Sequence, residues 1–178
     1  MELYLSNNKL SGQIHEFSNS SFPMEWLDLS SNYLEGPIPT SIGKLQRLRT
    51  LLLSSNNFNI CFQLNVFQQL TNLIELDLSD NSLLIEYNGT NSSLSPFPII
   101  ESLRLASLKL KTFPSFLRNQ TSLSNLDLSS YQIHGEIPNW IWELDLFQLN
   151  LSYNYLEGPL LNLSSLSVLD LRSNQFQG

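Results

Sequence analysis

The chain has 178 residues, a formal net charge of −7 and 14% charged residues. That balance opposes a nucleic-acid partner, whose phosphates repel an acidic protein. A single cysteine, Cys61, excludes an internal disulfide and leaves the redox compartment open; it reads as a small buried hydrophobe. No run approaches the roughly 20 apolar residues of a membrane span, and the opening residues Met1–Ser6 do not resemble a signal peptide.

Leucine accounts for 38 residues, serine for 27 and asparagine for 19. One apolar type at such abundance implies a packing position that recurs, so repeats are sought first. In chain order, Leu-x-Leu begins at Leu3, Leu27, Leu51, Leu76, Leu103, Leu126, Leu149 and Leu169. The second leucines are Leu5, Leu29, Leu53, Leu78, Leu105, Leu128, Leu151 and Leu171. Alternation of this kind marks a short strand with one buried face. Seven residues after each start an apolar residue returns: Leu10, Leu34, Phe58, Leu83, Leu110, Ile133, Leu156 and Phe176. Three before each later start stands Met24, Leu48, Leu73, Ile100, Leu123, Leu146 or Leu166.

Four apolar columns held over eight registers predict a solenoid. One repeat cannot cover its own leucines, but stacked repeats bury them in a continuous core. Each buried leucine contributes about 1.5–3 kcal/mol. Parallel strands about 4.8 Å apart give a sheet roughly 34 Å long. The expectation is a single domain over 1–178 with eight repeats.

A further column, five residues after each start, reads Asn8, Asn32, Asn56, Asn81, Leu108, Tyr131, Asn154 and Asn174. Buried asparagine both donates and accepts, so it can satisfy backbone groups where the chain leaves its strand. Leu108 and Tyr131 cannot do so. A gap or a water-filled break in the asparagine ladder is expected there.

The segment Leu27-Asp-Leu-Ser-Ser-Asn32-Tyr-Leu34-Glu-Gly36-Pro-Ile38-Pro39 resembles the plant-specific leucine-rich repeat. The motif returns at Leu10–Ile14, at Ile133–Pro138 and at Leu156–Pro159. The resemblance implies an α/β solenoid, a right-handed horseshoe with its parallel β-sheet on the concave side. Short 3-10 or loop segments and a minor sheet lie on the convex side of such a fold. Residues 99–178 further resemble plant receptor-like proteins of the disease-resistance Cf and Ve type. The carriers are Leu105–Leu123, where that family has Cys and Asn in place of Leu108 and Lys109, and Gly135–Trp142.

By that resemblance the parent is a plasma-membrane protein whose repeats face outward. It perceives a protein or peptide ligand, in defence signalling, and works with a co-receptor kinase. Signal peptide, both caps and membrane span are not found in the chain, so it reads as a piece of a longer protein. A secreted inhibitor of pathogen cell-wall-degrading enzymes, whose repeats look alike, is the competing expectation. An inert truncated fragment is another.

Outward-facing strand positions form the concave surface. The central column holds Tyr4, Asp28, Leu52, Asp77, Arg104, Asp127, Asn150 and Asp170. No two of its four aspartates are on adjacent strands, which avoids direct repulsion, and Leu-Asp-Leu-Ser is ordinary repeat consensus. Aromatic candidates for ligand contact are Tyr4, Trp26, Tyr33, Tyr153 and Tyr155, because tyrosine and tryptophan give large contact area with few rotatable bonds. Glu75, Ser102, Asn125 and Gln148 flank them. Trp140 and Trp142 are assigned to packing on the convex side.

Glycosylation candidates are Asn19, Asn88, Asn91, Asn119 and Asn162, each opening Asn-x-Ser/Thr. Asn150 opens a sixth, but a glycan there would obstruct the concave face. His15 and His134 fall in different repeats with no nucleophile at a constant offset, and no phosphate loop or Cys/His metal spacing occurs. The chain is therefore expected to bind rather than catalyse, with no cofactor and no metal.

Overall fold

A computed structural model describes residues 1–17, 23–86, 97–108, 110–130, 132–160 and 166–177. Each Leu-x-Leu places its first leucine at the centre of a three-residue strand and its second just beyond the strand's end, and the strands form one parallel sheet. Its strands, numbered within this sheet, are β1 (Glu2–Tyr4), β2 (Trp26–Asp28), β3 (Thr50–Leu52), β4 (Glu75–Asp77), β5 (Ser102–Arg104), β6 (Asn125–Asp127), β7 (Gln148–Asn150) and β8 (Val168–Asp170). Spatial order follows chain order throughout, and each pair is in register: Leu3 beside Leu27, Leu27 beside Leu51, and so on to Leu149 beside Leu169.

Leucine periodicity dictates this register. A slip by one residue would turn every leucine to solvent. Leu51, Leu53, Leu76, Leu78, Leu103, Leu105, Leu128, Leu149 and Leu151 are completely buried, within one continuous apolar cluster running from Met24 to Leu156. Leu3, Leu5, Leu169 and Leu171 are half-buried, because β1 and β8 each have a neighbouring strand on one side only.

Beyond each strand the chain turns by a device that repeats at every level. The residue four after each start has positive φ: Asn7, Ser31, Ser55, Asp80, Ser107, Ser130, Tyr153 and Ser173, all between 53° and 62°. Left-handed backbone costs a residue with a Cβ about 1–2 kcal/mol. Here it points the amide of the turn residue at the carbonyl of the next repeat. Ser31 N–H donates to Ser54 at 2.8 Å and Ser55 N–H to Ser79 at 2.9 Å.

The asparagine that follows completes the turn. Asn56 Nδ2 donates to the carbonyls of Leu29, Leu53 and Ser54, and its Oδ1 accepts the amide of Leu34 at 3.0 Å. Asn32, Asn81, Asn154 and Asn174 make the same four kinds of bond. Among the described residues Asn8 reaches the carbonyls of Leu5 and Ser6 alone. The rungs stop at Asn81 and resume at Asn154. In the interval Leu108 is fully buried, so hydrocarbon rather than water fills that register; Tyr131 and Lys109 lie outside the described residues.

After the turn the chain forms short strands of smaller parallel sheets. Ser11–Gln13, Tyr33–Gly36 and Asn57–Phe58 make one, Cys61–Gln63 and Leu84–Glu86 another, and His134–Glu136 and Tyr155–Glu157 a third. Two glycines explain the repeat signature. Gly36 has φ +77° and an added Cβ would lie 2.9 Å from Gln13 Cγ; at Gly158, φ +88°, it would lie 2.6 Å from Glu136 Cγ. Backbone shape and closeness both demand glycine there.

On the return arm the chain makes 3-10 turns at Thr40–Lys44, Leu64–Gln69, Ser115–Asn119 and Asn139–Ile141. No α-helix occurs among the described residues, so the α part of the expected α/β class is reduced to these turns. Pro39, Pro114 and Pro138 precede three of them with φ near −62°, and their carbonyls accept the amides of Ile42, Leu117 and Ile141. A proline fixes the entry angle, and the few residues left before the next strand leave no room for a longer helix. Trp140 packs against the core, edge-on to Phe113 and under the Arg118 guanidinium.

Candidate ligand-binding face

The face of the large sheet opposite the leucines carries the residues that a partner would meet. Alternation along each strand sends the first and third residues outward, which gives two outward columns. The first reads Glu2, Trp26, Thr50, Glu75, Ser102, Asn125, Gln148 and Val168; the second reads Tyr4, Asp28, Leu52, Asp77, Arg104, Asp127, Asn150 and Asp170. In-register pairing makes each column a straight row across the repeats.

The acidic members of the second column have a job within the fold. Asp28 accepts from the amide of Ser30 at 3.0 Å and from its hydroxyl at 2.6 Å. Asp77 and Asp127 accept the amides of Ser79 and Ser129, and Asp170 accepts that of Arg172. Asn150 does the same for Ser152. The side chain thereby holds the strand exit in a turn two residues on, which is why a short acceptor recurs.

Their remaining lone pairs meet neighbouring strands. Arg104 pairs with Glu75 at 3.0 Å and lies 3.8 Å from Asp77. Asp127 accepts from Asn150 at 3.0 Å. Arg172 forks onto Asp170 with contacts of 2.6–3.0 Å, and that guanidinium holds the Asp170 carboxyl below the usual carboxylate range. Among the described residues, charge on this face is paired by Arg104 across strands and by Arg172 within its own repeat rather than gathered into a chelate. Among the described residues no group of three His, Cys, Asp or Glu could hold a metal ion.

The aromatic candidates do not form one surface. Tyr4 and Trp26 are neighbours on β1 and β2, with ring centroids 5.6 Å apart. The Tyr4 hydroxyl donates to Glu2 at 3.0 Å; desolvation, then that bond and the nearby charges of Glu2 and Asp28, raise its pKa. Tyr153 is exposed on a left-handed turn beyond β7. Tyr33 and Tyr155 instead begin strands of the small sheets, and Tyr155 stacks on His134 at 4.7 Å. These two aromatics therefore stand in the small sheets, outside the two outward columns of the large sheet. Gln148 is exposed on β7 beside Asn125.

What the sequence did not reveal is a pair of adjoining cavities along the edge where the strands begin. One, of about 400 Å³, is lined by Glu2, Glu25, Trp26, Arg49, Thr50, Ile74, Glu75 and Glu101. The other, of about 650 Å³, adjoins it through Glu25, Arg49 and Ile74 and includes Arg47, Thr71 and Asn72. The available signal was the position two before each leucine start, which carries Glu25, Arg49 and Glu101 among others.

Of the sequons, Asn19, Asn88, Asn91 and Asn162 lie outside the described residues. Asn119 is exposed at the end of its 3-10 turn, and Thr121 is exposed beside it. No helix among the described residues is long and apolar enough to cross a membrane.

Comparison with known proteins agrees with the repeat architecture. A sequence-family profile described as Leucine Rich Repeat matches residues 1–20, 24–45 and 122–144. Receptor like protein 22 of Arabidopsis thaliana is 38% identical over 170 residues, covering 92% of this chain and 22% of the relative. Receptor-like protein 47 of the same plant is 41% identical over 150 residues, covering 78% of the chain and 18% of the relative. The chain thus spans about a fifth of the length of these curated relatives. Among solved structures, the plant peptide hormone receptor RGFR1 in complex with RGF2 superposes with a TM-score of 0.80 at 28% identity, over 98% of this chain and 28% of that one. The Arabidopsis receptor kinase HAESA, in complex with the peptide hormone IDA and the co-receptor SERK1, gives 0.78 at 30% identity, over 98% and 30%. Columnar leucines, asparagine turns, one in-register parallel sheet and these relatives converge: the chain belongs to the plant leucine-rich-repeat receptor-like proteins.

Proposed function

We propose that this chain is an extracellular ligand-recognition segment of a plant cell-surface receptor-like protein, anchored at the plasma membrane through parts of the parent beyond it. It binds a protein or peptide through the concave face and its lateral edge. Defence signalling is the process in which the parent acts, and a co-receptor kinase is its partner. One observation carries the reading: an eight-stranded sheet whose outward columns hold varied polar and aromatic side chains on a backbone fixed by buried leucine and asparagine. Such a surface can change its specificity by substitution without disturbing the fold. Of the superposed receptors, one is a peptide hormone receptor in complex with RGF2 and another was solved with the peptide hormone IDA and a co-receptor, which favours a peptide ligand.

The test uses the full-length parent expressed in leaf tissue and challenged with pathogen-derived extracts. Replacing Asp77, Arg104 and Asp127 by alanine should abolish an oxidative-burst response that the wild type gives. Replacing Lys44, Arg118 and Glu143, exposed on the return arm, should leave it intact. Equal responses from both variant sets would sink the reading.

A further inference from the structure

We propose that the solenoid carries a built-in seam at its fifth repeat, the one that begins with β5, where the stack opens locally before the repeats on either side unfold. Elsewhere three ties join neighbouring repeats. From the first repeat to the fourth, and from the sixth to the seventh, each step has paired strands of the large sheet, an asparagine rung and pairing within a small sheet. Through the fifth repeat, among the described residues, the large sheet alone continues.

The rung is lost first. Leu108 stands where the turn asparagine stands in other repeats, is buried, and has no polar atom in its side chain. Where the asparagine is present, its Oδ1 accepts the amide of an apolar residue one repeat back: Leu34 for Asn56, Phe58 for Asn81 and Ile133 for Asn154. The equivalent amide at this step belongs to Leu83, which is completely buried, and no acceptor meets it among the described residues. A buried amide without an acceptor favours any opening that lets water reach it.

The small sheets give a second observation. Cys61–Gln63 pairs with Leu84–Glu86, and His134–Glu136 with Tyr155–Glu157, yet residues 110–114 between them form no strand. Small-sheet pairing among the described residues therefore ends at the fourth repeat and restarts at the sixth.

What else crosses the repeat is carried by side chains. On the step into it Arg104 reaches Glu75 at 3.0 Å, Gln120 Oε1 accepts the Ile100 amide at 2.9 Å, and Phe97 packs on Phe116 at 4.3 Å. Ser79 Oγ accepts the Ala106 amide, and the Ser107 hydroxyl donates to Asp80. On the step out, Phe113 and Arg118 meet Trp140. Such ties must immobilise side chains in order to form, and the half-exposed ion pair is screened by salt. Solenoid stability is a sum over nearest-neighbour interfaces, so the weakest interface falls inside the stack. An opening there moves Asp77, Arg104 and Asp127, neighbours on β4, β5 and β6, relative to one another.

Native-state hydrogen exchange on the ¹⁵N-labelled full chain tests the seam, using amides that hold the same place in successive repeats. Leu53, Leu78, Leu105 and Leu128 each donate across one step, to the carbonyls of Asp77, Arg104, Asp127 and Asn150, at 2.8–3.0 Å. Protection factors of Leu78 and Leu105 should lie at least about tenfold below those of Leu53 and Leu128, whereas a uniform stack frays from its ends. Leu108→Asn, which restores an acceptor for the Leu83 amide, should raise Leu78 to within about threefold of Leu53. A wild-type difference smaller than tenfold would overturn the seam, as would a folded Leu108→Asn chain in which Leu78 exchanges as before. Should Leu108→Asn fail to fold, by circular dichroism, the wild-type comparison decides alone.

Discussion

Asn56 Oδ1 accepts the amide N–H of Leu34, 22 residues earlier in the chain, at 3.0 Å, and both residues are buried. The bond crosses from one repeat to the one before it. It shows that the asparagine column holds the repeats to one another as well as shaping the turn within each.

Asn56→Ala should therefore destabilise the chain by at least about 1–3 kcal/mol, the cost of leaving a buried backbone donor unsatisfied. Asn8→Ala removes bonds to two carbonyls that water can reach, and should cost less than about 0.5 kcal/mol. Urea unfolding followed by circular dichroism compares the two. Equal losses would mean that the inter-repeat bond contributes little.

Position within the stack should matter as much as residue type. Leu78 is completely buried between repeats on both sides, so Leu78→Ala is expected to cost about 2–5 kcal/mol. Leu5, chemically identical and in the same column, is half-buried on β1's repeat, and its truncation should cost about 1–2 kcal/mol. The same unfolding measurement on both variants checks the gradient.

Glycan attachment should discriminate between two sequons of equal sequence quality. The Asn119 side chain is exposed on the return arm. The Asn150 amide donates to Asp127 and accepts from Ser152, within the concave sheet. Secreted from plant cells, the protein should carry a glycan at Asn119 and none at Asn150. Peptide mass mapping before and after treatment with a glycan-releasing amidase reads the outcome directly; occupied Asn150 would contradict the geometry.

Acid should loosen the step between the first and second repeats. Hydrogen bonds from the Ser41 hydroxyl and then the Ser41 amide, the latter 2.9 Å long, hold the Glu16 carboxyl below the usual carboxylate range. A depressed folded-state pKa means the contribution is fully present above the unfolded value, about 4.3. It is lost as pH falls through the lowered folded value. Glu16→Gln should lower Tm at pH 7 and should narrow its gap from wild type as pH drops below about 4. A constant gap down to pH 2 would rule out this linkage.

Legibility followed periodicity. The columns headed by Leu27, Asn32 and Gly36 were readable because every repeat must bury the same face against the next, which imposes one residue type at one spacing. Trp26 and Tyr4 were readable as outward residues for the same reason. The left-handed turn residues escaped, because serine, aspartate, asparagine and tyrosine all occupy that place and no residue type marks it. Tyr33 and Tyr155 fall outside the outward columns of the large sheet because each begins a strand of a small sheet directly after the turn asparagine, Asn32 or Asn154.

The amino-acid order by itself determined the solenoid, its register and its leucine core, since these depend on repeated hydrophobic burial, which is non-directional and written into composition and spacing. Tertiary structure alone decided which outward side chains share a space. Glu25 and Glu101 are 76 positions apart, yet they line one cavity with Trp26. Convergence of that kind depends on the directions taken by the chain before each strand and by individual side chains. Those directions vary from repeat to repeat while the core stays constant.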